Sequence, residues 1–523
     1  MIVHPRNSLL IAVTIVILFT WRHSDFYFGP PIHETGDFAA NALQIDDARS
    51  FKTLYGNYSR WRFNHPGPGF FYVYAASEAL LHRTIPFFAS PHQAHAFGGL
   101  MLQAGFFAIG LGVLARHARS SLGWIFPFAV AMLYFRGVEG AFTSIWAPHV
   151  LMAPFFAFLC CCGAIANGDT RNLPLAALSG SFLVHGHVAQ PLFVIPLFCC
   201  AYLCLTYSAR REAGAWPWRQ DLRSHAIGGT VLFIFTLPIV IDVFSGSDSN
   251  FSRILGHLSR HEDGGKSLFQ SLGHLISFFV HDRLPEQSID AANYSLTAYS
   301  ARHWAALAVW IGAAAVAVLA LCLRSTGNET QPGLKSRRVT AVVWLAAVLL
   351  TLVWGMRQDG EMFAFNSFFV HALVFLLVLL ALDPVLDHFQ NHGPRAAAAL
   401  FLLVSFLDTL GGAPQPVYSQ PQSEIEIPAR VRAALDRDGR DAVHLDFEHS
   451  EWPGVVSVAL ALQREGTHFT VDSSWRFMFG FRHEAKPDAP FDRTWRIRRI
   501  GTQENEVQLT RNLAFVELRK RNT

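Results

Sequence analysis

The segment between residues 22 and 91 holds the densest group of side chains that could carry out chemistry. Asp37 follows a glycine, the acidic pair Asp46-Asp47 comes further along, and Tyr58 opens the run Tyr-Ser-Arg-Trp-Arg-Phe-Asn-His-Pro-Gly-Pro-Gly. A carboxylate can take a proton from an acceptor hydroxyl while a phosphate leaves, and an arginine can bind that phosphate through its planar fork. These residue types indicate acid–base chemistry on a phosphorylated substrate.

Two roles stay open for Asp37. Apolar residues at helical spacing predict a helix over residues 38–50 that lies in the membrane interface. An aspartate directly before a helix can be its N-cap, or it can be a general base held just above the membrane. The two side chains of the acidic pair point ~100° apart on a helix, and Asp47 is predicted to face the site.

Arg60 and His65 also have two interpretations each. An arginine near a bilayer can be a headgroup anchor, or Arg60 can bind a phosphate. The prolines and glycines after His65 explain a sharp turn before an apolar helix at 70–81, which is predicted to lie in the interface. They do not explain His65 itself, which can bind substrate or form a hydrogen bond within the turn.

The composition of the chain indicates the class of protein that holds these residues in position. The chain has 523 residues, of which 51% are hydrophobic and 15% are charged, with a net charge of +3. A soluble chain carries about 25% charged residues, and apolar stretches of about 20 residues, enough to cross ~30 Å of hydrocarbon, recur here. Soluble enzymes, disordered scaffolds and nucleic-acid binders are therefore excluded, and an all-α polytopic membrane protein is predicted. All seven cysteines fall in apolar stretches, which indicates neither a disulfide framework nor a cysteine metal site.

The distribution of Lys and Arg predicts the topology. No signal-peptide cleavage site follows the first apolar stretch, so it is predicted to be an uncleaved span that begins in the cytoplasm. The short connections 116–121, 208–225 and 324–338 are basic and are therefore placed in the cytoplasm. The segments 22–91 and 245–302 are then outside. The predicted spans number about eleven, at 8–21, 92–115, 121–136, 147–166, 173–185, 189–207, 226–244, 303–323, 339–354, 365–382 and 396–411.

The composition changes after residue 411. Residues 1–411 are predicted to form a membrane domain in the inner (plasma) membrane, and 412–523 a small α/β domain outside it. The predicted elements of the second domain are a helix at 427–438, a strand at 442–447, a helix at 455–463 and a strand at 468–471.

One family shares the pattern of the first outer loop. After a single N-terminal span come Gly36-Asp37, Tyr58-Ser59-Arg60 and Asn64-His65-Pro66-Gly67-Pro68. This arrangement resembles the GT-C glycosyltransferases, polytopic enzymes that transfer a sugar from a polyprenyl-phosphate donor, and in particular an uncharacterised bacterial branch. The resemblance implies that Asp37 is the general base and that the His-Pro motif begins an interfacial helix. The chain departs from the usual acidic pair, because Asp37 stands alone with Glu34 upstream.

The resemblance also implies the rest of the site. Asp37 and Asp47 are the predicted catalytic residues. The residues predicted to bind substrate are Tyr58, Arg60, Asn64, His65, His187 and Arg357. The implied partners are the polyprenyl-phosphate sugar donor, a glycan, lipid or protein acceptor, and membrane lipids. His185 and His187 could ligate a metal, but the sequence fixes no third ligand nearby, so no metal site is predicted and a divalent metal cofactor is left open.

Two other classes of protein remain open. One is a transporter or lipid flippase, which charges at mid-membrane would favour, although such charges are scarce. The other is a non-catalytic assembly subunit that binds a partner through residues 412–523. The concentration of acid, arginine and histidine in one outer loop favours an enzyme. No glycine-rich nucleotide-binding motif is present, which favours a lipid-linked donor.

The predicted topology can be tested with reporter fusions. Because the Lys and Arg asymmetry sets orientation, fusions at three sites should report the cytoplasm and fusions at three others the outside. The cytoplasmic set is Ser120, Ala213 and Gly333, and the outside set is Ala48, Asp263 and Thr523. A cytoplasmic C-terminus would contradict the count of spans and would place the large loops and the tail on different faces.

Overall fold

The structure is a computed structural model of the chain. It describes residues 5–116, 134–135, 138, 140–244, 249–259, 265–280, 304–305, 308, 311–312, 332–358, 362–388, 426–486, 493–499, 507–509 and 513–519. Helices dominate these residues, and a small sheet lies toward the C-terminal end.

The described α-helices range from single turns to seven turns. They are α1 Pro5–Arg22, α2 Ser24–Tyr27, α3 Gly36–Arg49, α4 Gly69–Glu78, α5 Pro91–Ala115, α6 Ala147–Val150, α7 Met152–Ala166, α8 Leu173–Gly186, α9 Pro191–Ala213, α10 Pro217–Gln220, α11 Leu222–Phe244, α12 Asn250–Leu258, α13 Leu268–Val280, α14 Pro332–Met356, α15 His371–His388, α16 Ile427–Asp438, α17 Trp452–Arg464 and α18 Arg476–Phe479. A π-helix, Ala79–Thr84, continues α4.

The described strands form one mixed sheet. They are β1 Val443–Phe447, β2 Phe469–Thr470, β3 Arg493–Arg499, β4 Val507–Gln508 and β5 Leu513–Arg519, in the order β2-β1-β3-β5-β4. Strand β1 pairs in parallel with β2 and β3, whereas β5 pairs antiparallel with β3 and β4.

The chain divides into two compact units. The first unit comprises Met1–Arg22, Leu100–Ile241 and Leu255–Gln415. The second unit comprises His23–Gly99, Asp242–Ile254 and Pro416–Thr523. Each unit is therefore assembled from stretches that are far apart in sequence.

Helix α7 is the centre of the first unit. All of its residues are buried, and it packs against α8, α9 and α14. Gly163 of α7 faces Thr340 of α14, and a Cβ added at this glycine would lie 2.5 Å from Thr340 Oγ1. Small residues let apolar helices approach closely, which is how helices commonly associate in lipid.

Several helices have the length and composition of membrane spans. Among the described residues five qualify, Pro91–Ala115, Ala147–Ala166, Pro191–Glu212, Leu222–Phe244 and Ser336–Met356, and shorter apolar helices occur at Ser8–Arg22, Leu268–Phe279 and Phe365–Ala381. Phe233 and Ile234 of α11 are 67% and 57% exposed. An apolar helix with an apolar exposed face is typical of contact with acyl chains.

The prediction of a largely helical chain with apolar helices of span length and a small C-terminal sheet is confirmed, but the count of eleven spans is not. Predicted spans 121–136, 303–323 and 396–411 lie wholly or mostly outside the described residues. Helix α13 falls in the segment 245–302, to which the sequence analysis assigned no helix.

The hydrophobic core of the second unit joins α3 to the C-terminal sheet. Ala39, Ala42 and Leu43 of α3 belong to one buried cluster with residues of α16, α17 and the strands. Trp495 of β3 is fully buried in this cluster. The predicted interfacial helix 38–50 is therefore a helix, and within the second unit its buried side faces protein.

Asn64 joins the three stretches of the second unit. Its backbone N–H donates to Asn250 Oδ1 at 2.7 Å, and Asn250 Nδ2 donates back to the Asn64 carbonyl at 2.8 Å. The Asn64 side-chain amide donates to the carbonyl oxygens of Gly56 and Phe477 at 3.3 and 2.9 Å. Both donors of this fully buried amide are thus used within the protein.

We expect Asn64→Ala to destabilise the second unit. The change would leave two carbonyl oxygens without this donor, and a buried acceptor that loses its partner costs ~1–3 kcal/mol. Thermal unfolding of the detergent-purified chain should show a clearly lower melting temperature, whereas Lys52→Ala, at an exposed position of the same loop, should melt like the wild type. An unchanged melting temperature with weakened substrate binding would instead support the predicted substrate-binding role of Asn64.

Candidate functional site

Asp37 lies in the first turn of α3, not at its N-cap. The helix begins at Gly36, and Thr35 occupies the N-cap position in an extended conformation. Gly36 has φ +53°, a backbone conformation that glycine adopts without steric cost. The possibility that Asp37 is the N-cap residue is therefore wrong, and the glycine of the Gly-Asp pair is explained by the backbone.

The side chain of Asp37 accepts a hydrogen bond from the Tyr58 hydroxyl. Tyr58 is held by edge contacts with the rings of Trp452 and Phe477, whose centroids lie 6.1 and 5.9 Å from its own. Burial, and then the charge of Asp37, raise the pKa of this tyrosine, so it remains a hydrogen-bond donor. The structure thus brings together two of the predicted site residues.

A tight turn sets the position of Tyr58. Tyr58 and Asn64 form an antiparallel bridge, and Ser59 N–H donates to the Phe63 carbonyl at 2.7 Å. Arg62, within the turn, has φ +63°. The run between Tyr58 and His65 is therefore a small hairpin.

Asp47 is buried on the same helix as Asp37. It is 7% exposed, and its Oδ1 lies 2.8 Å from Arg482 Nη2. Burial raises the pKa of Asp47 to about 6, although the charge of Arg482 opposes this effect. The neighbouring Asp46 is half-buried and accepts a hydrogen bond from Gln463 at 2.7 Å. Both members of the acidic pair are thus engaged within the second unit.

Arg60 and His65 differ in exposure. Arg60 is exposed, and its guanidinium carbon lies 5.2 Å from the centre of the Trp61 ring. His65 is buried, its backbone N–H donates to the Asn57 carbonyl at 2.8 Å, and its ring lies against Phe63. Of the two, only Arg60 therefore presents its side chain to solvent.

His187 and Arg357 belong to the first unit. His187 follows α8, and its Nδ1 accepts a hydrogen bond from the backbone N–H of Ala189 at 3.1 Å. Arg357 is exposed directly after α14, and its backbone N–H donates to the Trp354 carbonyl at 3.0 Å. Their role in binding the donor phosphate stays a prediction.

A second cluster, which the sequence analysis did not predict, surrounds Glu34. Arg464 at the end of α17 binds this carboxylate with both ends of its guanidinium, at 2.6 and 2.8 Å. His92 and His95, on the first turns of α5, lie beside it. Burial opposes ionisation of Glu34, but the charge and hydrogen bonds of Arg464 outweigh it and hold the pKa of the carboxyl well below its usual range.

Glu78 is the next carboxylate in this cluster. Its carboxylate accepts hydrogen bonds from Arg83 Nε at 2.7 Å and Arg49 Nη1 at 3.0 Å, and it lies 2.8 Å from His95 Nε2. Burial raises the pKa of Glu78, but His95 and Arg83 together outweigh burial and hold it at about 2. Glu78 is therefore an ionised acceptor at neutral pH.

One feature of the sequence could have indicated part of the second cluster. His92 and His95 are three residues apart at the start of an apolar stretch, and residues at that spacing share one helix face. Nothing in the sequence linked them to Glu34 or to Arg464.

Comparison with known proteins identifies no relative. No protein-family model matches the chain, and no curated protein matches it.

The raised pKa of Asp47 predicts a pH-dependent stability. A carboxyl with a pKa of about 6 when folded, against an ordinary 3.8, binds its proton more tightly in the folded state. Protonated Asp47 therefore stabilises the folded state fully below about pH 4. This stabilisation, ~3 kcal/mol in total, is lost as the pH rises through about 6. Asp47→Asn should remove this part of the pH dependence in thermal unfolding.

Asp441→Asn is the matched control, because Asp441 is exposed on the same unit. Its unfolding should keep the wild-type dependence on pH. An Asp47→Asn curve parallel to the wild type between about pH 4 and pH 6 would show that Asp47 titrates normally.

Proposed function

We propose that the chain is a membrane glycosyltransferase of the GT-C type. It transfers a sugar from a polyprenyl-phosphate donor to a cell-surface acceptor on the outer face of the inner (plasma) membrane. The observation that carries this proposal is the hydrogen bond from Tyr58 to Asp37, because it joins the Gly-Asp and Tyr-Ser-Arg parts of the motif that resembles the family.

Asp37 is the general base in this proposal. A negative charge is favoured in the first turn of a helix, so the carboxylate is available to accept a proton from the acceptor hydroxyl. Asp37 is half-buried, which leaves part of it open to an incoming group. Tyr58 is a positioning residue, since it holds the carboxylate through the same hydrogen bond.

Asp47 supplies a second carboxyl group. Its pKa of about 6 lies close to neutral pH, where a group exchanges protons most effectively in general acid–base catalysis. We assign to it the exchange of a proton with a polar group of the substrate.

Arg60 is assigned to the phosphate of the donor, whereas the burial of His65 favours a role within the turn. Arg60 is exposed on the hairpin that also carries Tyr58. A guanidinium forms strong, often bidentate hydrogen bonds with phosphate. The proposal also keeps the predicted topology, with about eleven spans and the N-terminus in the cytoplasm. In that topology a lipid-linked donor would reach the first outer loop from the membrane.

The test of the proposal is Asp37→Asn. This variant keeps the size of the side chain and its ability to accept the Tyr58 hydrogen bond, but it cannot take a proton. General acid–base catalysis contributes ~10²–10⁴-fold, so activity should collapse while the melting temperature stays near that of the wild type. Mass spectrometry of lipid-linked sugars and surface glycans in a deletion strain, complemented with each variant, provides the measurement.

Two further variants sharpen the result. Asp441→Asn is the matched control and should restore the wild-type glycan profile. Tyr58→Phe should lower activity less than Asp37→Asn, by about 10- to 150-fold if a charge-assisted hydrogen bond of ~1.5–3 kcal/mol is lost, and it should shift the pH profile. A deletion strain with unchanged glycans, or full complementation by well-folded Asp37→Asn, would refute the proposal.

A further inference from the structure

Three side chains that can ligate a metal meet inside the second unit. Glu34, His92 and His95 each offer one ligand atom, and these atoms lie within 4.8 Å of one another. The three side chains are at most 1% exposed. Glu34 precedes α3, whereas both histidines lie on the first turns of α5.

The orientation of His95 is the decisive feature. Its Nε2 lies 2.8 Å from Glu78 Oε2, and Glu78 also accepts hydrogen bonds from Arg49 and Arg83. Because Glu78 acts as an acceptor throughout, Nε2 of His95 must carry the hydrogen. The lone pair of a neutral His95 is then on Nδ1, which makes no hydrogen bond among the described residues.

That lone pair faces a carboxylate. Nδ1 of His95 lies 3.9 Å from Glu34 Oε1, which is too far for a hydrogen bond. A buried lone pair directed at a negative oxygen is unfavourable, whereas a cation placed between them would be attracted to both. A histidine that ligates a metal almost always donates its other ring N–H to a carboxylate or carbonyl, which is the arrangement of His95 and Glu78.

His92 completes the arrangement. Its Nδ1 lies 3.9 Å from the same Glu34 oxygen. The rings of Phe26 and Phe38 pack edge-on against the imidazole, with centroids 6.0 and 5.5 Å away. The ring is therefore held in one orientation by apolar packing.

We propose that Glu34, His92 and His95 bind a divalent transition-metal ion of the Zn²⁺ class. Bonds of ~2.0–2.2 Å to imidazole nitrogen and carboxylate oxygen separate tetrahedral ligands by about 3.3–3.5 Å. The two histidines lie 3.9 Å from Glu34 and all three ligand atoms lie within 4.8 Å of one another, so each separation must shorten by at most about 1.4 Å to reach this geometry. Two imidazoles and one carboxylate favour Zn²⁺ over Ca²⁺ or Mg²⁺, which prefer oxygen ligands.

Arg464 is compatible with the metal. Its two hydrogen bonds to Glu34 use one acceptor position on each oxygen, and an ionised carboxylate has about four such positions. Arg464 therefore orients the ligand without using all of its capacity.

The site is structural. Its ligands are buried, and it connects the segment just before α3 to the start of α5 within the second unit. Asp37 lies in the first turn after Glu34, so the metal would help to hold the candidate base. The inference does not rest on the proposed glycosyl transfer, because it is read out by metal content.

The experiment measures metal in the full-length chain. The protein is purified in detergent, its affinity tag is removed, and it is dialysed with Zn²⁺ and then against metal-free buffer. Mass spectrometry of the metal should find about one Zn²⁺ per chain at a site of this kind, and chelator should lower the melting temperature. Co²⁺ exchanged into the site should give the visible absorption bands of a tetrahedral centre.

Variants locate the ion. His92→Gln and His95→Gln should lose the bound Zn²⁺, and Glu78→Gln should weaken it ~10- to 100-fold, as loss of a carboxylate behind a ligating histidine does. His82→Gln is the matched control: its Nδ1 contacts the Phe88 carbonyl in the same unit, and it should keep the full metal content. Loss of the metal from His92→Gln and His95→Gln, in which the cysteines are unchanged, would exclude binding by the cysteines.

Two results would overturn the inference. One is a well-folded wild-type chain without Zn²⁺ or Co²⁺ above background. The other is a His92→Gln or His95→Gln chain that retains the wild-type metal content. The wild-type measurement alone decides the matter if these variants do not fold.

Discussion

The ion pair between Arg464 and the fully buried Glu34 is the interaction on which the second unit depends. It connects the end of α17, packed on the C-terminal sheet, to the segment that leads into α3. Loss of Arg464 would leave the buried Glu34 carboxylate uncompensated, and a buried charge without its partner costs several kcal/mol, up to ~3–5 kcal/mol. Glu34 can therefore stay ionised in this position only when Arg464 is present. The geometry around Asp37 is therefore determined by a residue more than four hundred positions away in sequence.

The apolar core and this ion pair act together. Alanines of α3 lie in the same buried cluster as α16, α17 and Trp495, so the helix that carries both candidate carboxylates cannot shift without disturbing the sheet. Rigid support of this kind is what a catalytic group needs, since small displacements of reacting atoms reduce rates strongly. The sequence predicted a separate C-terminal domain. In the structure the C-terminal helices and strands share a core with α3 and so support the candidate site.

Local elements were largely predictable, because they depend on local spacing. The helix predicted at 427–438 is α16, and the strand and helix after it differ from prediction by only a few residues at their ends. The start of α3 was misplaced, because Gly36 adopts a positive φ and allows the helix to begin before Asp37. The cluster of Glu34, His92, His95 and Arg464 was missed for a different reason. Its members come from three distant segments, and their proximity is a property of packing that no local pattern encodes.

The position of β5 in the sheet bears on how the chain matures. This strand is among the last described residues, yet it lies between β3 and β4, and its Phe515 belongs to the same core as Leu43 of α3. The apolar side of α3 is synthesised early, but residues that cover it, such as those of β5, are synthesised only near the end of the chain. Contacts of such large sequence separation form slowly. A nascent chain, or one truncated before β5, would expose this surface and be a substrate for chaperones and proteases, so that late nonsense mutations should act through degradation.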